Sequence, residues 1–367
     1  MARVIGIDPG TLSFDLCGLD NGQLFLATTI SSPELAANPV RLIEALQAAG
    51  PLDLVIGPSG YGLPWVRLDE FTDEDLFLLA LADEREQGQA AGIGGLPQLI
   101  AGLQASGLPV IFMPAVIHLP TVPAYRKANK IDMGTADKLC CAALGIFDQA
   151  RHFELAYHQT SFIYVEVGGA FTAVLAVANG QVVDGLGGSS GPPGFYALGA
   201  MDGELAYLLG KFSKKVLFSG GVAYLSGQPE LPLAQAAALA EVDQAVRQAW
   251  DAFFEGIIKS VAAELTVVPQ AREILLSGRL CRFPELLAEL TSRLSRLVPV
   301  RQITGLSSPV KEAAQGAAMI ADGLMGGQFA DLVSTMRLGE AEGTVLDYLH
   351  VSGAAELKRA YLKSYRG

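Results

Sequence analysis

Three short segments of this sequence set a charged or hydroxyl side chain beside glycine at the end of an apolar run. Asp8-Pro9-Gly10-Thr11 follows Val4–Ile7, Glu166-Val167-Gly168-Gly169 closes Phe162–Val167, and Ser277-Gly278-Arg279 follows Glu273–Leu276. Backbone N–H groups in a tight turn form a nest for phosphate oxygens. A carboxylate at the strand end can hold Mg²⁺, usually through water, and so offset phosphate charge. Asp8 is therefore a candidate metal ligand. Gly10 and Thr11 are candidates for one half of a phosphate clamp, and Gly168 and Gly169, facing them, for the other. At Gly278 the missing side chain would let an adenine or ribose approach the backbone beside Ser277. Plainer readings stand next to each: Asp-Pro-Gly is a common turn, Gly-Gly can mark a bulge, and Ser-Gly-Arg can be a bare strand-to-helix junction.

The elements that must position these residues are repeated. Val4–Ile7, Phe14–Leu19 and Gln23–Thr29 read as strands, with Asn21-Gly22 in the pattern preferred by two-residue hairpin turns. Phe162–Val167, Ala173–Ala178 and Gln181–Val183 repeat that grammar around Asn179-Gly180. Thirteen residues separate Asp8 from Asn21, and thirteen separate Glu166 from Asn179. Two such units in register point to duplicated domains. Between them, Asp53–Ile56 and Pro109–Met113 read as buried strands, and Leu42–Ala49, Leu96–Ala105 and Thr135–Leu144 as helices. After the second hairpin, Val216–Phe218 and Glu273–Leu276 read as strands. Ala234–Leu265 (with a break), Phe283–Arg296 and Val310–Leu324 read as helices, and Gly343–Gly367 as a helical segment with a basic end.

The whole composition suits this plan. The 367 residues suggest about two domains, and with half of them hydrophobic and 17% charged there is ample material for a core. The net charge of −12 repels phosphate backbones. The richest basic stretch, Arg126, Lys127 and Lys130, is too small to reverse that, so no nucleic-acid partner is expected. The four cysteines have neither metal-ligand spacing nor histidine partners and read as buried, reduced thiols. No signal peptide or membrane span is expected, and the cytoplasm is the default compartment.

The set Ile7-Asp8-Pro9-Gly10-Thr11, Val165-Glu166-Val167-Gly168-Gly169, Leu276-Ser277-Gly278-Arg279 and Glu312-Ala313-Ala314-Gln315-Gly316-Ala317-Ala318 resembles the signature of the acetate and sugar kinase, heat-shock-70 and actin superfamily. The second hairpin, through Val183, Asp184 and Gly185, most resembles its acetate and butyrate kinase branch. Gly57-Pro58-Ser59-Gly60-Tyr61-Gly62-Leu63-Pro64 and Ile131-Asp132-Met133-Gly134-Thr135-Ala136-Asp137-Lys138 are similar to an uncharacterised family described as predicted butyrate kinases. The resemblance spans about residues 1–330. It implies an α/β fold of two actin-like (ribonuclease H-like) domains, 1–155 and 156–330, with mixed sheets flanked by helices and a cleft between them. The segment 331–367 would then be helical and pack back on the first domain. The resemblance further implies ATP and Mg²⁺, with phosphate loops at Gly10–Thr11 and Gly168–Gly169, adenosine near Ser277–Gly278, and Glu312 approaching the metal from a hinge helix. A homodimer is implied in the same way. Departures from the pattern are Glu166 where many members have Asp, Pro9 in the first loop, and no arginines that align with the catalytic pair of acetate kinase.

The expectation that follows is an ATP-dependent small-molecule kinase, butyrate kinase-like, whose acceptor is a short-chain carboxylate. Arg126 and Arg279 are candidates to neutralise the transferred phosphate, against the reading of each as a solvated cation. Gly60, Tyr61 and Gly62 follow a buried strand and are candidate acceptor contacts, against a surface loop. Asp8 and Asp132 are candidate bases for a hydroxyl acceptor, with Asp132 otherwise a helix cap, and Asp137 and Lys138 come just before the domain boundary, where a role in the cleft is open to them. Two other classes compete: a regulatory actin-like ATPase, and a resolvase-type nuclease. The nuclease shares Ile-Asp-Pro-Gly but explains neither the second hairpin nor the negative charge.

Overall fold

A computed structural model describes residues 2–10, 12–82, 96–307 and 309–362. Its first sheet contains β1 (Arg3–Pro9), β2 (Ser13–Asp20), β3 (Gln23–Ser31), β4 (Leu54–Ile56), β5 (Val66–Arg67) and β6 (Val110–Phe112), in the order β3-β2-β1-β4-β6-β5. The second contains β7 (Phe162–Val167), β8 (Thr172–Ala178), β9 (Gln181–Leu186), β10 (Ile274–Ser277) and β11 (Val300–Gln302), in the order β11-β10-β7-β8-β9. Within each sheet the hairpin strands pair antiparallel and the two strands beyond β1 or β7 pair parallel to it. Five strands of the first sheet thus reappear in the second in the same order and sense. Both hairpins turn at Asn-Gly with positive φ at all four residues, 53° and 76° at Asn21-Gly22 and 53° and 72° at Asn179-Gly180, as a mirror-image two-residue turn demands.

Each sheet is packed into its own apolar cluster. Val4, Ile5, Leu16 and Val55 anchor one, with the helix Ala136–Phe153; Ile163, Val174, Trp250 and Phe253 anchor the other, with the helix Gln244–Val267. The helix Glu312–Leu324 comes after the second sheet in sequence yet buries Ala314, Ala317, Ala318 and Ile320 in the first cluster. Its small residues let it run between β1 and the 136–153 helix at backbone distance. A Cβ on Gly316 would lie 1.9 Å from the Cys140 carbonyl oxygen, so only glycine allows these two helices to cross there. Leu332, Met336, Val345 and Leu362 join the same cluster, and Trp65 Nε1 donates to Leu338 O at 2.6 Å.

The structure departs from the sequence reading in several elements. Val216–Phe218 is not a strand but part of a 3-10 turn, Lys214–Phe218, capped by Ser213. Three apolar residues carry no period, and Leu217 and Phe218 are spent on cavity walls instead. The long helical stretch is indeed broken, into Leu233–Leu239 and Gln244–Val267. Among the described residues of the last segment, the α-helix is Ala354–Tyr361. Helices Ser32–Ala37 and Asp73–Ala80 went unread, although Thr72 and Asp75 form a capping box for the latter. The four cysteines are buried and free, and no described helix is long and apolar enough to cross a membrane.

Candidate active site

The end of β1 and the end of β7 face each other across one cavity of about 240 Å³. Asp8, Pro9, Gly10 and Leu12 line one wall, and Glu166, Gly168, Gly169 and Phe171 the other. The two turns are in contact range: a Cβ on Gly169 would sit 3.3 Å from Leu12 Cδ1 and 3.4 Å from Arg279 Cδ.

The floor is a network of buried carboxylates held by two lysines. Lys311 Nζ lies 3.0 Å from Asp8 Oδ2 and 2.8 Å from Asp15 Oδ2, and donates to Ser13 O at 2.9 Å. Asp15 stands directly opposite Asp8 in the β1–β2 ladder. Like charges so placed repel, and Lys311 makes the pair tolerable. Asp15 also accepts from Ser13 Oγ and Thr29 Oγ1. Burial pushes its carboxyl up, but Lys311 and these donors outweigh burial and hold it below the usual range. Asp8 has fewer donors, so burial wins over Lys311 and its carboxyl is held above the usual range.

Lys138 plays the matching part at the second turn. Its Nζ is 2.5 Å from Asp137 Oδ2 and 3.0 Å from Glu166 Oε2. Apart from that ion pair, Glu166 Oε2 is buried without a hydrogen bond. Burial accordingly raises the Glu166 carboxyl against the pull of Lys138. Burial also raises Glu312, at the first turn of its helix and on the cavity wall. At Asp137 burial is outweighed by Lys138 and Thr135, and the carboxyl is held low. Burial thus holds three carboxylates at the cavity, Asp8, Glu166 and Glu312, above their usual range. A hard divalent cation fits such a set of oxygen donors. Among the described residues no group of three or more His, Cys, Asp or Glu is arranged to cage a metal, so such a cation would take most of its ligands from water and phosphate.

The candidates from sequence divide into three groups. Asp8, Gly10, Gly60, Tyr61, Asp132, Gly168, Gly169, Arg279 and Glu312 all line the one cavity. Among the described residues Arg279 has no ion pair, and it faces the cavity half-buried. Four residues lie behind or away from the wall. Gly62 packs against Ala115 N, and Ser277 Oγ accepts from Tyr164 Oη at 2.7 Å within the core. Gly278, with φ +97°, is needed because a Cβ there would meet Val167 O at 2.4 Å. That is a close approach of two strands' ends, which a side chain at 278 would prevent. Arg126 is turned away altogether, donating to Val183 O at 2.9 Å and facing Asp184 at 3.4 Å. Thr11 lies outside the described residues.

Asp132 is neither a helix cap nor an unengaged base. Gly134 N donates to its Oδ1 at 3.1 Å, and Ser189 N and Oγ both donate to Oδ2 at 2.9 Å. It anchors the Ser189-Ser190 loop.

Lys311 escaped the sequence reading entirely, because its partners are some 300 residues away in the chain. A signal was present nonetheless. Lys311 is the N-cap of its helix and Lys138 lies in the first turn of its own, where the helix dipole disfavours a cation. A lysine kept in that position implies a carboxylate nearby.

A model of the family described as "Protein of unknown function (DUF1464)" matches residues 6–351. No curated protein matches the chain. Among solved structures it is similar to a propionate kinase from Francisella tularensis subsp. tularensis SCHU S4, at 13% identity and a TM-score of 0.62, covering 86% of this chain and 99% of that one. It is similar also to the acetate kinase of Porphyromonas gingivalis, at 12% identity and a TM-score of 0.59, covering 87% and 98%. The acetate kinase of Entamoeba histolytica follows at 9% identity and a TM-score of 0.56, covering 80% and 87%. The fold is thus the two-sheet, actin-like one that the family resemblance implied.

Proposed function

The chain belongs to the DUF1464 family, and from the geometry of its cleft we propose that it is an ATP-dependent phosphotransferase acting on a carboxylate. One observation carries this reading: two glycine turns from duplicated sheets face each other over a single cavity, each with a carboxylate at its root. Neither turn alone is a convincing phosphate site, but opposed they can grip a polyphosphate from both sides. Solved structures of this fold include kinases of acetate and propionate, which agrees with the reading.

In it, the backbone at Gly10 and at Gly168–Gly169 binds the phosphate chain. Asp8 and Glu312 would hold Mg²⁺, which when bound supplies charge neutralisation between the phosphates. Arg279 covers the charge of the transferred group. Lys311 and Lys138 keep the two root carboxylates in place. A carboxylate oxygen of the acceptor attacks the γ-phosphorus; the new P–O bond forms as the bond to the β,γ-bridging oxygen breaks, and ADP leaves. No proton need be moved, because the acceptor is already ionised at neutral pH. A hydroxyl acceptor would want a base, and the two carboxylates that the sequence offers for it are already engaged, Asp132 by Ser189 and Gly134, Asp8 by Lys311.

Incubation with MgATP, hydroxylamine and a panel of carboxylic acids tests this by trapping the acyl phosphate as a hydroxamate. Hydroxamate with at least one acid is expected; none with any acid removes the carboxylate acceptor. Failure of ATP to bind in a titration removes the phosphotransferase altogether.

A further inference from the structure

Lys214 belongs to the second half of the chain and is fastened to the first. Its ammonium donates to the carbonyl oxygens of Ala80 and Leu81, the latter at 3.3 Å, and lies 4.6 Å from the centre of the Tyr61 ring. Lys214 and Tyr61 both line the phosphate cavity. The two carbonyls stand at the end of the helix Asp73–Ala80. A helix leaves acceptors and partial negative charge at that end, so a cation is well placed there. Leu81, with φ 47° and ψ 40°, holds a left-handed conformation that glycine takes freely and leucine takes at a cost. Strain of this kind persists where surrounding contacts fix it, and Lys214 supplies one of them.

From that corner the contacts run into the first wall of the cavity. Tyr61 N donates to Leu79 O at 3.0 Å, and a Cβ on Gly60 would lie 2.3 Å from the same oxygen. The Gly60–Tyr61 turn is therefore seated backbone to backbone on the helix end. Ala136 N donates in turn to Gly60 O at 2.9 Å, and Ala136 opens the helix whose next two residues are Asp137 and Lys138. In the other direction Lys214 starts the 3-10 turn Lys214–Phe218. The Phe218 ring meets the Phe171 ring edge to face, 4.9 Å between centroids, and Phe171 O accepts from Gly168 N at 2.9 Å. A continuous line of contacts thus joins the second glycine turn to the start of the 136–153 helix, and it crosses between the halves at Lys214.

We propose that Lys214 is a positioning residue for phosphoryl transfer, a strap that sets Tyr61 and the root of Lys138 relative to the second glycine turn. For its effect on rate the inference rests on the phosphotransferase reading; the strap itself is tested without turnover. Transfer needs the attacking oxygen and the phosphorus held in line. Loosening the strap lets the two walls drift and costs alignment, while the groups that meet the phosphates stay in place.

Hydrogen–deuterium exchange of the full chain, without ligand, reads the strap directly. Lys214→Met should speed exchange at the Tyr61 and Ala136 amides about tenfold, the scale of one charge-assisted hydrogen bond, and leave the Gln244–Val267 helix unchanged. Lys214→Arg, which keeps the donors and a cation for the ring, should restore the protection. Lys215→Met, an equal loss of charge at the exposed neighbour, should change nothing. In the hydroxamate assay Lys214→Met should lower kcat about 10–100-fold with little change in the KM for MgATP, and Lys214→Arg should recover most of the loss. Unchanged exchange at Tyr61 and Ala136 in Lys214→Met, or the same change in Lys215→Met, overturns the strap. Faster exchange with kcat unaltered overturns the positioning role. If the unaltered chain forms no hydroxamate with any acid while the exchange results hold, the carboxylate acceptor falls and the strap stands as the tie between the two walls.

Discussion

At the first turn Asp8 looks across the ladder at Asp15, whereas at the second Glu166 looks across at Ala173. The duplicated hairpins are superimposable in plan but not in charge. Where two acids oppose each other, one lysine is clasped between them and also ties down Ser13 O. Where a single acid stands alone, the lysine is shared with its own sequence neighbour, Asp137. The difference teaches that the two turns meet the same charge problem in different ways: at the first a distant lysine lies between acids opposed on one ladder, and at the second the lysine lies between Glu166 and its own sequence neighbour. The lysines also cross over. Lys311 follows the second sheet in sequence and serves the first turn, while Lys138 precedes that sheet and serves the second turn.

The largest test of this contrast is stability. Lys311→Met strands two opposed, buried carboxylates, and breaking a buried pair in this way costs about 3–5 kcal/mol. Lys138→Met should cost less, because Asp137 keeps its hydroxyl donor Thr135. Urea unfolding of both variants measures it; an equal or larger loss for Lys138→Met breaks the comparison.

Activity comes next. Asp8→Asn should lower kcat about 100–1,000-fold, the usual scale for removing a group that stabilises transition-state charge. Glu166→Gln should cost about 10–100-fold, as for a residue that supports such a group from behind. Circular dichroism should show both folded. The reverse ranking would move the metal side of the site to the second turn.

The smallest effect, and the sharpest in sign, is the pH dependence of stability. Asp15 is held below its ordinary 3.8, so its stabilisation is present above that pH and is lost as pH falls through its lower native value. Glu166 is held above its ordinary 4.5, so its contribution is present below that pH and is lost as pH rises through its higher native value. Asp15→Asn should flatten the acid limb of the urea midpoint against pH. Glu166→Gln should flatten the decline above pH 4.5. Matching slopes in the two variants would erase the distinction between the turns.

The hairpins were legible because their determinants are local. Alternation, a carboxylate before glycine, and Asn-Gly at a fixed distance all lie within one stretch of chain, and the repeat doubled the signal. Short parallel strands such as Leu54–Ile56 and Ile274–Ser277 were legible as apolar runs. Val216–Phe218 shows the limit of that signal, since an apolar triplet can equally line a cavity. In the site, residues attached to the turns were found, but those whose meaning depends on distant partners were not. Arg126 was a candidate to neutralise the transferred phosphate, and its actual partner, Asp184, is 58 residues on. Gly278 read as a ligand-facing glycine, and nothing local signalled that its missing side chain is also needed by the Val167 backbone. Lys311 had no local pattern beyond its uncomfortable place at a helix start.

Two rods that touch backbone to backbone, with no side chain between them, act as a rivet. The 136–153 and 312–324 helices meet in this way at Cys140 and Gly316. Lys138 rides just beyond the rivet on one rod, and Lys311 caps the other. A side chain at position 316 would wedge the two rods apart and carry with them the lysines that brace the floor of the cavity.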